Sequence, residues 1–293
     1  MRKSFASTAS KIIKENKNTA LLLGDIGVYG FRDILSTHPE RAFNIGILEQ
    51  SMVSMAAGLA SEGIIPIIHT IAPFIVERAL EQIKVDFGYQ KLPGNFVSVG
   101  ASFDYAKLGC THHCPGDVNI LSNIPKVNIF IPGHAKEFEN QLLNNWDSGK
   151  VNYYRLSEHT NSESFNLNLG EIRKLKKGNR GVLIAVGPFL NEALECLNEL
   201  DIEIQYCNSI TGLKSMKIES EFPGKKVIIF EPYYSGALLL KIIEQVSISG
   251  CEVIQIGVPK EFLEKYGTYQ EQLHYLKLDS ASIRNKVENF LNK

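Results

Sequence analysis

The sequence predicts an α/β protein of two doubly wound domains with mainly parallel sheets, and three observations carry that prediction. Apolar runs of strand length alternate with amphipathic helical stretches along the chain, as a parallel sheet covered on both faces requires. The 293 residues, 44% of them hydrophobic, suffice for two cores. Between two such series lies a polar stretch, 157–180, with Asn161-Ser162-Glu163-Ser164, the basic run 173–180 and no long apolar element, which reads as a linker. The first domain is placed at 1–156 and the second at 181–293.

In the first domain strands are expected at 20–24, 64–69, 95–100, 127–131 and 151–155, each a run such as ALLLG or IIPIIH. Helices are expected near 4–15, 50–61, 73–88, 116–123 and 135–146, where apolar residues recur at helical spacing. The second domain repeats the pattern with strands at 181–186, 202–206, 226–230 and 252–256 and helices at 189–199, 236–246 and 281–291.

Lys+Arg 31 against Asp+Glu 32 gives a net charge of −1, so there is no basic field for nucleic acid and no polybasic membrane patch. Small molecules and other subunits are the expected partners. The five cysteines are scattered and odd in number, which suits a reducing cytoplasm better than a disulfide framework. Residues 11–18 are rich in Lys and Asn where a signal peptide needs an apolar core, and no apolar run reaches the ~18 residues of a membrane span. A soluble, unprocessed cytoplasmic protein is expected.

Two motifs are weak. Cys110-Thr111-His112-His113-Cys114 lacks the paired C-x₂-C spacing of a structural zinc site, and no metal is assigned to this chain. Gly24-Asp25-Ile26-Gly27 follows a strand but is not G-x-G-x-x-G, so it reads as a strand-end turn that sets a carboxylate at the carboxyl edge of the sheet. A third feature, taken alone, favours a plain structural reading. Glu49 stands at the mouth of an apolar helical run, 52–60; as a dipole-complementing acid it is worth only ~0.3–1 kcal/mol.

In context Glu49 has a second reading. Arg41-Ala42-Phe43-Asn44-Ile45-Gly46-Ile47-Leu48-Glu49-Gln50 resembles the R-x-F-N-x-G-I-x-E-Q element of transketolases and deoxyxylulose-phosphate synthases. The likeness continues in order through Thr70-Ile71-Ala72-Pro73-Phe74 and Arg78-Ala79-Leu80-Glu81-Gln82-Ile83, then Gly109-Cys110-Thr111-His112-His113, Ile124-Pro125-Lys126-Val127 and Ile256-Gly257-Val258-Pro259. It spans nearly the whole chain but only the C-terminal half of a full-length transketolase. The resemblance implies a pyrimidine-binding domain, with the fold of thiamine-diphosphate enzymes, followed by a transketolase C-terminal domain. The diphosphate-binding domain with its G-D-G…N metal motif is not among the matching segments, so the chain resembles the second subunit of a split transketolase.

That resemblance implies thiamine diphosphate as cofactor, with Mg²⁺ bound mainly by a partner. The cofactor carries carbanion chemistry and the protein supplies orientation and electrostatics. Glu49 would share a proton with pyrimidine nitrogen N1′, since desolvation favours a protonated carboxyl. Phe74 would stack on the pyrimidine, Ile71 would offer an apolar wall where relatives have an aromatic ring, Asp25 and Ile26 would touch the cofactor, and Ile47 would buttress it. His112 would face the reacting carbonyl, donating to the developing alkoxide or shuttling its proton. Substrate contacts are expected from Arg2, Leu108 and His113.

Three departures concern substrate. Leu108 stands where relatives carry an Asp that reads a sugar hydroxyl, Gly100 stands for a histidine, and Glu158 of Ser157-Glu158 stands for a phosphate-gripping Arg. A carboxylate repels phosphate, so the usual pentose phosphates are not the expected substrates. The implied activity is transfer of a two-carbon ketol unit from a ketose donor to an aldehyde acceptor. The implied assembly is a heterotetramer: a homodimer contact through the pyrimidine domain, completed by an N-terminal diphosphate-binding subunit. The alternatives are decarboxylative carboligation, as in deoxyxylulose-phosphate synthases or the β subunit of a 2-oxoacid dehydrogenase, and a non-catalytic scaffold that keeps the fold.

Overall fold

The computed structural model of the chain describes residues 1–213, 226–245 and 251–293. A first sheet of six strands is parallel throughout, built from β1 (Thr19–Leu23), β2 (Ala42–Asn44), β3 (Ile65–Ile71), β4 (Gly94–Val99), β5 (Val127–Phe130) and β6 (Val151–Arg155) in the order β2-β1-β3-β4-β6-β5. Every residue of β1, β4 and β6 is buried, as strands sandwiched between helical layers must be. The helices are α1 (Arg2–Glu15), α2 (Val28–Thr37), α3 (Glu49–Ser61), α4 (Ala72–Val76), α5 (Leu80–Gln82), α6 (Asp117–Leu121) and α7 (Ala135–Asn145). In α1 the buried set Phe5, Ala9, Ile12 and Ile13 recurs at helical spacing, giving one face to the sheet.

The second sheet joins β7 (Arg173–Lys176), β8 (Val182–Val186), β9 (Glu203–Cys207), β10 (Lys226–Tyr234) and β11 (Glu252–Val258) in the order β11-β10-β8-β9-β7. Its strands are parallel except β7, which runs antiparallel to β9. Around it lie α8 (Leu190–Cys196), α9 (Ala237–Gln245), α10 (Tyr269–Tyr275) and α11 (Ser280–Leu291). One apolar cluster runs from Ala20 and Leu22 of β1 to Val182 of β8 and Val227 of β10, so the two sheets share a core. Backbone bonds cross the junction: Ile131 N donates to the Asn208 carbonyl at 2.8 Å and Tyr234 N to that of Pro115 at 2.8 Å.

The expected strands and helices are present, with these differences. β2 is three residues long and α2 buries only Phe31 and Ile34 around an interior Gly30, too little pattern to read in advance. The stretch 157–180 supplies β7, whose Arg and Lys side chains suit a solvated sheet edge; Lys174 pairs with Glu203 at 2.7 Å. The single helix expected at 73–88 divides into α4, α5 and a π-helical stretch, Ile83–Tyr89. Residue 246, the expected end of the helix now seen as α9, lies outside the described residues. Among the described residues, no helix is long and apolar enough to cross a membrane.

Candidate functional site

The carboxyl edge of the first sheet gathers most of the expected site residues. As β1 ends, Gly24 N donates to the His69 carbonyl at 2.9 Å and the chain turns through Asp25, held at a left-handed φ of 59°. Asn44 at the end of β2 steadies this turn: its Nδ2 donates to Asp25 Oδ1 at 3.0 Å while its Oδ1 accepts from Asp25 N at 3.1 Å. Gly27 then starts α2 with φ 78°, and a Cβ there would lie 3.1 Å from His69 Nε2. Asp25, Ile26 and Gly27 line a cleft of about 800 Å³ whose far wall includes Arg2 and Phe5 of α1.

His69 closes the floor of this cleft. Its Nδ1 lies 2.8 Å from the Val97 carbonyl, which fixes the proton on that nitrogen, and burial pushes its pKa down to about 4. Because the unfolded histidine titrates near 6.5, the neutral folded form contributes stability that is complete above that pH and is lost as pH falls to about 4. The stability advantage of the wild type over His69→Gln should therefore shrink by about 3 kcal/mol between pH 7 and pH 4, measured by urea unfolding at each pH.

Glu49 opens α3 and its side chain is only 1% exposed. One oxygen, Oε2, accepts from Arg78 Nη1 at 2.6 Å; the other, Oε1, is buried with no hydrogen-bond partner. Arg78 leaves α4 by a widened turn in which both Glu77 N and Arg78 N donate to the Pro73 carbonyl, at 2.9 and 3.1 Å. Its guanidinium lies 4.2 Å from the centroid of the Phe74 ring. Phe74 meets His112 edge to face at 5.4 Å, and His112 meets Tyr105 at 6.4 Å. Tyr105 in turn packs against Arg2 at 5.5 Å, and Arg2 pairs with Glu158 at 3.9 Å. A continuous run of side chains thus links Glu49 to Glu158 through Phe74 and His112.

The remaining expected residues fall in different places. Ile71 ends β3 and is buried, Ile26 is half-buried, and Ile47 is 66% exposed on the loop before α3. Leu108 is exposed beside the short turn that carries His112, whose Nδ1 lies 3.0 Å from Thr111 Oγ1. His113 is buried, neither ring nitrogen has a partner of normal geometry, and burial lowers its pKa. Beneath Glu158 the buried Asp104 accepts from Ser157 Oγ at 3.0 Å and from Glu158 N at 2.9 Å; burial pushes it up to about 7. Of the cysteine-histidine run, Cys110 is exposed, while Cys114 is buried with its thiol 3.5 Å from Glu77 Oε1. Arg78 and Tyr105 join this run of contacts without standing out as site residues in the sequence. Arg78 belongs to the matched segment 78–83, but its partner Glu49 is 29 positions away and is brought to it only by the fold.

Residues 1–159 match the family model described as the transketolase pyrimidine-binding domain. Over 294 residues the chain is 33% identical to a protein of Rhodococcoides fascians described as an uncharacterized 33.6 kDa protein in the fasciation locus, covering 98% of this chain and 94% of that one. It is 26% identical over 306 residues to one subunit of the apulose-4-phosphate transketolase of Phocaeicola vulgatus, covering 100% and 97%. Against the 1-deoxy-D-xylulose-5-phosphate synthase of Syntrophus aciditrophicus identity is 29% over 308 residues, and the match spans 98% of this chain but only 46% of that protein. In three dimensions the chain is similar to a split-gene transketolase solved as an inactive β4 tetramer, with a TM-score of 0.84, 22% identity and coverage of 99% and 97%.

Proposed function

The chain belongs to the transketolase family, and we propose that it is the pyrimidine-side subunit of a thiamine-diphosphate enzyme that transfers a two-carbon ketol unit from a ketose to an aldehyde. The observation that carries this reading is Glu49: a buried carboxyl at the head of a helix, with one oxygen lacking a partner and with Phe74 and His112 in the same run of contacts. A buried polar atom without a partner is costly unless a ligand completes it, and an aminopyrimidine ring nitrogen would do so. Ile71 and Ile26 belong to the same apolar cluster as Phe74, and the exposed Ile47 and Leu48 would gain cover from a bound ring or a second chain.

Thiamine diphosphate, when bound, supplies the carbanion chemistry. This chain's residues would orient it and handle protons: Glu49 holds a proton shared with N1′, Phe74 and Ile71 keep water from the ring, and His112 donates to the oxygen on which charge develops. Asp25, at the end of β1, is already bonded to Asn44, and the reading gives the Mg²⁺ site to a partner subunit. The match to a relative that is itself named as one subunit of a transketolase, with nearly full coverage of both chains, supports such a split assembly. Exposed Ile47, Leu48 and Met55 on and before α3 offer a face for the second copy in a heterotetramer. Glu158, paired with Arg2, offsets the positive charge that a phosphorylated sugar would seek.

A second reading, decarboxylative carboligation, is favoured by the synthase match at 29% identity. The reconstituted complex separates the two: ketose donors should be consumed without CO₂ release, whereas pyruvate consumption with CO₂ release and no ketol transfer would establish the second.

A further inference from the structure

Arg78 touches both residues assigned above to the pyrimidine ring, Glu49 and Phe74. Its Nη1 donates to Glu49 Oε2 at 2.6 Å, and its guanidinium lies 4.2 Å from the Phe74 ring centroid. The Glu49 side chain is sealed from solvent whereas that of Arg78 is 40% exposed, so the arginine covers the carboxylate from outside. A planar cation that lies over an aromatic ring and donates an N–H to a carboxylate offers the same pattern as an aminopyrimidine protonated at its ring nitrogen.

Building on the cofactor reading, we infer that Arg78 is a displaceable occupant of the pyrimidine position. In the free chain it balances the Glu49 charge and covers Phe74; the arriving ring pairs with the Glu49 carboxylate and stacks on Phe74, and the guanidinium swings into solvent. The local structure suits such an exchange. Arg78 follows the short α4 on a widened turn rather than in the middle of a regular helix, and its side chain is 40% exposed, so water is at hand to solvate the released guanidinium. Arg78 is thus a positioning residue that keeps the buried acid charge-balanced until its substitute arrives, and it lowers apparent cofactor affinity by the fraction of time it occupies the site.

The test uses the full chain with 4-amino-5-hydroxymethyl-2-methylpyrimidine, the ring portion of the cofactor, as the probe. Binding is followed by NMR of the arginine side chains and of the rings of Phe74 and His112. In the free wild type the Arg78 Nε–Hε signal should carry the ring-current shift of Phe74, and at saturation it should move to the position of a solvent-exposed arginine. Arg78→Ala should bind the probe roughly threefold or more tighter, with Arg78→Lys between it and the wild type, since an occluding state has been removed. An Arg78 signal unchanged at saturation, or weaker binding by Arg78→Ala, would show a permanent partner and overturn the displacement while leaving the cofactor reading in place. Absence of binding to all three proteins, with the Phe74 and His112 signals unmoved, would count against the cofactor reading and against the displacement with it.

Discussion

Glu49→Gln should lower turnover of the reconstituted enzyme by about 10²–10⁴-fold, the range for loss of a positioned acid or base. Glutamine keeps the size and the hydrogen bond to Arg78 but cannot exchange a proton at the ring nitrogen. Stability should hardly change, by less than about 1 kcal/mol, because the Arg78 partner is 40% exposed and regains water when its counter-charge goes. Steady-state turnover and urea unfolding on the same preparation separate the two effects. Unimpaired turnover would remove Glu49 from the chemistry and leave it as a helix-dipole partner.

Arg155→Met carries the largest expected effect on stability, a loss of about 3–5 kcal/mol. Arg155 ends β6 with its side chain 1% exposed, and its Nε donates at 2.7 Å to Oδ2 of Asp117, which is fully buried at the start of α6. Its Nη2 donates to Ser102 Oγ at 2.6 Å, Ser102 Oγ donates to the carbonyl of Pro232 in β10, and Tyr153 donates to the same Asp117 oxygen at 2.7 Å. Deleting the cation strands a buried carboxylate whose remaining donors, among the described residues, are the tyrosine and the Val118 amide. It also breaks a link between the two sheets. The double variant Arg155→Met with Asp117→Leu should recover much of the loss, since an apolar pair costs less than half an ion pair. Urea unfolding of the three proteins measures this; a loss under about 1 kcal/mol in the single variant would mean that Asp117 is not dependent on Arg155.

How much of this was legible in the sequence depended on whether the controlling contacts were local. Runs such as 182–186 announce buried parallel strands because both faces are covered and every position is apolar. Three-residue β2 and the sparsely buried α2 carry too few periodic positions to stand out, and the bond from Asn44 of β2 across to Asp25 joins residues 19 positions apart. The break in the helix expected at 73–88 also lies beyond periodicity, since apolar spacing does not distinguish α from π turns. α10 had a readable signal: Thr268 and Glu271 form a capping box at its start. In the site, Glu49, Phe74 and His112 were legible as residues in ordered motifs, whereas the pairing of Arg78 with Glu49 and of Arg2 with Glu158 exists only because the chain returns to one edge of the sheet.

The proposed function has this chain supply the pyrimidine half of a shared thiamine-diphosphate site, with Glu49 as its acid. It is tested most directly by ketol transfer from a ketose donor, measured for this chain alone, for a diphosphate-binding partner alone, and for their mixture with thiamine diphosphate and Mg²⁺. Activity is expected only in the mixture, and is expected to be lost when the mixture contains Glu49→Gln. Activity of this chain without the partner, or a mixture equally active with Glu49→Gln, would contradict it.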